Sequence, residues 1–208
     1  MRILFAIALI PSLAAADKLT AQVTDGTNLH MAGHRGAMHW QTDIGVTIEL
    51  AAGGNATMNS AGSRKEHVLD GGPGSRNTDD VSTWTTQWTG TWTKSGDKLS
   101  VALTLAKHTC KHEKKTSEFD PRKNVWLEYT PEQLPCLAAA KQTKLTCTTE
   151  QVQVSDLGTT QPTTAWACSA AASTDLAETP AHLVFGKTTC INMHAGRMSA
   201  LSYSKCKP

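Results

Sequence analysis

The chain reads as an all-β protein, an antiparallel barrel or sandwich with a disulfide-bonded β-rich C-terminal half, and three observations carry that reading. Trp84, Trp88 and Trp92 lie in a threonine-rich stretch interrupted by Gly90. A spacing of four suits one face of a strand and also drifts only about 40° per step on a helix, so it does not decide by itself. The β-branched Thr83, Thr85, Thr86, Thr89, Thr91 and Thr93 decide for a strand, because they lose χ1 freedom in a helix and fit a pleated sheet. After Ser95-Gly96-Asp97, a turn sequence, Leu99, Val101, Leu103 and Leu105 alternate with Ser100, Ala102 and Thr104, which predicts a hairpin with one apolar face. Finally, short apolar stretches separated by Gly, Pro, Ser and Asp clusters follow one another to the C-terminus, where a parallel α/β sheet would need intervening helices.

In chain order, Met1–Ala16 has one arginine, an apolar run from Ile3 to Ile10, a Pro-Ser break and three alanines. That is the layout of a cleaved secretory signal, so the expected location is secreted or periplasmic. No segment approaches the roughly 20 apolar residues of a membrane-spanning helix. Leu19 to Val23 is expected as a short strand before a turn at Asp25-Gly26-Thr27-Asn28. Val46, Ile48 and Leu50 alternate, turn at Ala52-Gly53-Gly54-Asn55 and return through Ala56 and Met58, a second hairpin. Gly71 to Asn77 reads as a surface loop. Lys107 to Lys123, polar and basic, reads as a long loop or the join between residues 17–106 and the cysteine-bearing residues 107–208. Asn124 to Tyr129 is a strand candidate, and Pro131 to Lys141, alanine-rich after Pro-Glu-Gln, is the one helical candidate. Lys144 to Val154, Thr164 to Ser169, Leu183 to Met193 and Met198 to Ser204 complete the strands.

Export governs how the cysteines are read. Cys110, Cys136, Cys147, Cys168, Cys190 and Cys206 are an even set in an oxidising compartment and are expected to pair. Six thiols allow 15 connectivities; pairing of sequence neighbours, Cys110 with Cys136, Cys147 with Cys168 and Cys190 with Cys206, is the reading adopted. No Cys-x-x-Cys or finger-spaced Cys/His pair suggests zinc held by these thiols.

The stretch from Val46 to Leu105, with its Gly-Gly-Asn turn, the run Trp88-Thr89-Gly90-Thr91-Trp92 and the Gly-Asp turn, resembles the small antiparallel barrels of exported bacterial lipocalin-like and copper-resistance proteins. That resemblance implies a barrel. The chain lacks the lipidation cysteine and the Cys-x-x-Cys pair of the copper-resistance group, and no functional residue carries over.

The formal charge is +2, or +1 without Arg2, which gives no warrant for nucleic acid as a partner. Trp84, Trp88 and Trp92 are either core, the commoner fate of aromatic rings, or an exposed platform on which a planar ligand stacks. His30, Met31, His34, Met38 and His39 supply imidazole and thioether, ligands suited to copper or zinc, with His30, His34 and His39 as the candidate metal set against satisfied or exposed histidines. His108, Cys110, His112 and Glu113 lie among Lys107, Lys111, Lys114 and Lys115. That charge run is either a solvated segment beside a disulfide or a surface for an anionic partner. There is no Gly-x-Ser-x-Gly elbow and no phosphate-binding loop. Asp79 and Asp80 adjoin, so in a strand they face opposite ways. The expected function is a binding module for a small ligand or a protein partner, without a cofactor and not an enzyme. The alternatives are a copper- or zinc-binding protein and a secreted hydrolase whose catalytic groups converge from distant loops.

Overall fold

The computed structural model describes residues 17–30, 36–71, 74–156, 159–172, 175–177, 179, 182–185, 189–194 and 201–205. The expected signal segment Met1–Ala16, His34 and Cys206 lie outside them. Among these residues twelve strands follow in order: β1 (Asp17–His30), β2 (Ala37–Leu50), β3 (Asn55–Asp70), β4 (Arg76–Ser95), β5 (Lys98–Asp120), β6 (Val125–Glu128), β7 (Glu132–Gln133), β8 (Gln142–Asp156), β9 (Thr159–Ala170), β10 (His182–Phe185), β11 (Thr189–His194) and β12 (Leu201–Lys205). No helix occurs among the described residues.

Hydrogen-bonded neighbours run β1-β2-β3-β4-β5-β8-β9-β10, every pair antiparallel, and β10 comes back alongside β1 to make a nearly closed barrel. Beyond it, β11 joins the edge of β1 in parallel and β12 bridges from β11 to β8. The central hairpin is as the sequence predicts: Ser95 pairs with Lys98 across Gly96-Asp97, and Gly96 takes φ 60°.

The interior is built from alternate residues. Ile44, Val46, Ile48 and Leu50 of β2 and Ala56 and Met58 of β3 face Trp84 and Trp88 of β4. Leu99, Val101 and Leu103 of β5, Leu145 of β8, and Leu183 and Phe185 of β10 complete the filling. Two glycines make room. Gly62 stands opposite Trp84, and a Cβ there would come within 2.6 Å of the indole Cζ2, so the ring lies over bare backbone. At Gly90 a Cβ would meet the Ala102 carbonyl oxygen at 1.8 Å, where β5 crosses close. Residues 175–177 and 179 turn into the assembly as well: Leu176 and Thr179 are buried, and the Thr179 hydroxyl is hydrogen-bonded to that of Ser60.

An irregularity sits between Gln87 and Trp88. Trp88 pairs with Leu105 but Gln87 with Lys107, leaving Ala106 without a counterpart. Side chains alternate with period two, so this extra residue reverses the parity of β5. Odd residues up to Leu105 point inward, and from His108 onward the even ones share the inner side.

Past the barrel, β1 to β5 continue as an extension. Its sequence is charged on both faces, as in Arg64-Lys65-Glu66-His67 and Lys111-His112-Glu113-Lys114-Lys115, and none of these side chains is buried. Burying unpaired charge costs too much, so the ladder of main-chain hydrogen bonds holds this part.

Several expectations are corrected. Lys107 to Lys123 is no loop: β5 runs unbroken to Asp120, because its charges can stay in water on either face while its main chain pairs with β4. Pro131 to Lys141 is not helical. Pro135 interrupts a helix, Glu132 and Gln133 pair with β5, and the amide of Leu134 donates to the His112 carbonyl at 2.8 Å. Asp25-Gly26-Thr27-Asn28 is not a turn but the middle of β1, paired with Gln41 and its neighbours. Leu183 to Met193 divides into β10 and β11.

Two of the expected disulfides are present, Cys110–Cys136 and Cys147–Cys168; the pairing of Cys190 with Cys206 lies outside the described residues. Cys147 and Cys168 stand directly opposite each other in β8 and β9, and both are fully buried.

Trp88→Ala is expected to lower the unfolding free energy by about 3–5 kcal/mol in urea titrations, and a loss below about 1 kcal/mol would contradict a packed interior position. The double variant Cys147→Ala, Cys168→Ala should lose about 3 kcal/mol in the same assay, with the far-ultraviolet β signature retained at low denaturant.

Candidate functional site

The site begins with a turn. Asp120 accepts hydrogen bonds from the amides of Arg122 (2.9 Å) and Lys123 (3.3 Å), Pro121 fits the following position, and Asn124 takes φ 54°, a conformation asparagine tolerates better than most residues. The chain therefore reverses and β6 pairs with the far end of β5, Trp126 opposite Phe119 with ring centroids 5.5 Å apart.

β6 is the last strand on its side of the sheet. The Tyr129 amide donates to the Thr116 carbonyl at 3.0 Å, so main-chain groups at alternate positions 125, 127 and 129 turn toward β5. Those of Trp126 and Glu128 turn outward. Its side chains are apolar at both parities: Val125, Trp126, Leu127 and Tyr129 are 44, 43, 41 and 48% exposed, and Leu137 further on is 57% exposed. Among the described residues, these are the exposed large apolar side chains.

Residues 131–139 return as a strap, and the parity reversal at Ala106 explains where it is fixed. Cys110 and His112 are on the inner side. Cys110 is bonded to Cys136, and His112 lies between two acceptors, Asp80 Oδ1 at 2.7 Å from Nε2 and the Pro135 carbonyl oxygen at 3.1 Å from Nδ1. The ring serves both only with both nitrogens protonated. On the other face Gln133 donates to Glu113 at 3.1 Å, and Lys111 is 2.7 Å from the same carboxylate oxygen. The hydrogen bonds from Lys111 and Gln133 hold the Glu113 carboxyl below its ordinary range, and all of these groups are solvent-accessible. Tyr129 donates to Glu118 at 3.1 Å, and that bond, with the Glu118 charge, raises the phenol above its ordinary value.

The residues singled out from sequence fall elsewhere. Trp84 and Trp88 are barrel interior, 3% and 0% exposed, and Trp92 is partly buried at the rim, its indole donating to the Ala51 carbonyl at 3.0 Å. The row therefore offers no exposed stacking platform. His30 ends β1 opposite Ala37, while His39 stands in β2 opposite Asn28 on one side and His67 of β3 on the other. The structure thus aligns His39 with His67, and His34 lies outside the described residues. No group of three or more His, Cys, Asp or Glu side chains among the described residues is placed to hold a metal ion. His108 pairs inward with Thr86 at 2.8 Å, apart from His112. Asp79 and Asp80 do face opposite ways, the first bonded to His67 and the second to His112.

A groove of about 500 Å³ opens on the outer face over the irregularity in β4 and β5, lined by Thr47, Asn59, Thr85, Gln87 and Lys107 among others. Those groups offer hydroxyls, amides and one ammonium but no aromatic ring.

Sequence reasoning did not single out the β6 segment. Its signal was Val-Trp-Leu-Glu-Tyr, apolar at odd and even positions of a strand too short and too flanked by charge to be central. No protein-family model, curated protein or solved structure matches the chain.

Because the folded Tyr129 phenol is raised, its hydrogen bond to Glu118 is intact below the ordinary tyrosine value of 10.0 and is lost as pH climbs through the higher folded value. Ultraviolet titration should show one tyrosine ionising late, and Glu118→Gln should bring it back toward 10.0; no change in that variant would contradict the bond.

Proposed function

We propose that this protein is an exported binding module that takes an extended stretch of a partner polypeptide along β6 and over the strap beside it. The observation that carries this reading is that the exposed large apolar side chains among the described residues fall within residues 125–137, at the terminal strand of the sheet. An extended chain supplies what that place lacks: main-chain partners for Trp126 and Glu128, and side chains to cover apolar groups on both faces. Exposed edges of this kind are normally blunted by charge or cover.

A second copy of the chain fits less well. Pairing of β6 with itself about a two-fold axis is centred on four residues, short of the roughly 1,000 Å² that a stable interface buries. An extended peptide can instead run on past Tyr129 to Leu137. The disulfide and the hydrogen bonds of His112 hold the strap in place beforehand, which reduces the ordering cost of binding. The two disulfides suit an oxidising compartment.

Panning a phage-displayed peptide library against the full chain should enrich sequences with alternating apolar residues. Binding of an enriched peptide should weaken at least tenfold, about 1.4 kcal/mol, with Trp126→Ala or with Glu128→Pro, which removes an outward amide. Thr91→Ala, on the far outer face, should leave it unchanged. Enriched peptides indifferent to both β6 variants would overturn the proposal, as would a chain that takes no peptide and only self-associates in sedimentation.

A further inference from the structure

The row of residues crossing the outer face of the extension holds a different chemistry. His39 of β2 stands opposite His67 of β3, His67 opposite Asp79 of β4, and Asp79 opposite Lys115 of β5. Directly opposed side chains on one face have Cβ atoms about 4.5–5.5 Å apart, a separation two imidazoles can close around one ion.

The His67 ring is already oriented for this. Its Nδ1 is 2.7 Å from Asp79 Oδ1. An ionised carboxylate only accepts, so Nδ1 must carry the proton, and in the neutral ring Nε2 is left as the lone-pair donor. A carboxylate bonded to the second nitrogen is the arrangement by which metal-binding histidines are commonly held in one tautomer. The His67 and Asp79 side chains are 44 and 54% exposed, and His39 is exposed too, so an ion from solution can reach the pair. Of the cations on this face, Lys115 is 3.0 Å from Glu128, which offsets its charge, while Lys65, two residues before His67, works against a bound cation.

We propose that His39 and His67 form a surface site for a divalent transition-metal ion, with Asp79 as the positioning residue and water completing the coordination. Two neutral imidazoles favour copper(II) over nickel and zinc, following the general affinity order of nitrogen sites. The site is separate from the β6 edge and does not depend on the peptide-binding reading.

Copper(II) chloride titrated into the untagged full chain, followed by calorimetry, should show one saturable site at micromolar concentrations, with zinc weaker. His39→Ala and His67→Ala should each lower copper affinity at least tenfold. Asp79→Asn should lower it by about tenfold to a hundredfold, and in metal-free protein ¹⁵N imidazole spectra should show loss of the Nδ1–H tautomer of His67, a change that a merely structural aspartate would not produce. Circular dichroism confirms that each variant is folded. A folded His39→Ala, His67→Ala double variant that binds copper as the parent does, or a parent chain that takes none at 100 µM (about −5.5 kcal/mol), overturns the site.

Discussion

Ala106 of β5 has no counterpart in β4, and the side on which every later side chain of β5 falls follows from that one extra residue. Up to Leu105 the strand turns its leucines and valine into the barrel. Beyond the irregularity the inner side takes His108, Cys110 and His112 in place of Lys107, Thr109 and Lys111. Had the parity persisted, Cys110 would face outward, away from the sheet side on which residues 131–139 lie, and the Asp80 carboxylate would have no imidazole beside it. The bulge thus decides which face the strap covers, and through it where Val125 to Tyr129 come to rest.

Two regimes of stability meet along the same strands, β1 to β5. In the barrel, large apolar side chains are packed with their backbone cut to fit: Trp84 over Gly62, Trp88 beside Met58, and β5 drawn against Gly90. Replacing a glycine at either place would push a methyl group into a ring or a carbonyl oxygen. In the extension nothing comparable is buried. The strands there keep their partners because the ladder satisfies their amides and carbonyls while Lys, Glu, Asp and His side chains remain hydrated. Exposed ion pairs such as Lys111–Glu113 and Lys115–Glu128 add little each. That contrast makes the extension the more adaptable part, and both the β6 edge and the His39–His67 pair belong to it.

What could be read beforehand followed from local chemistry. The Thr-Trp stretch, the Gly96-Asp97 turn and the alternation of Leu99 to Leu105 are rules acting within a few residues, and they hold. Neighbour pairing of Cys110 with Cys136 and of Cys147 with Cys168 also holds, since hairpin-like returns bring sequence neighbours together. Lys107 to Lys123 reads as a loop or a join because a strand charged on both faces has no period-two hydrophobic signal, and only long-range pairing with β4 makes its residues up to Asp120 a strand. The row His39, His67 and Asp79 draws on three strands, and its members are far apart in sequence. Residue spacing carries no trace of such a register and points instead to the histidines nearest each other along the chain, His30, His34 and His39.

The Cys110–Cys136 bridge also alters what cutting the chain can accomplish. The turn at Asp120 to Asn124, β6 and Tyr129 fall inside the loop that this bond closes. A peptidase in the surroundings that nicks this loop once produces two segments still joined through sulfur, so neither fragment can diffuse away until a reductant acts. Damage at the most accessible stretch would therefore remain a local scar, and the barrel would keep its hold on both halves of the broken loop.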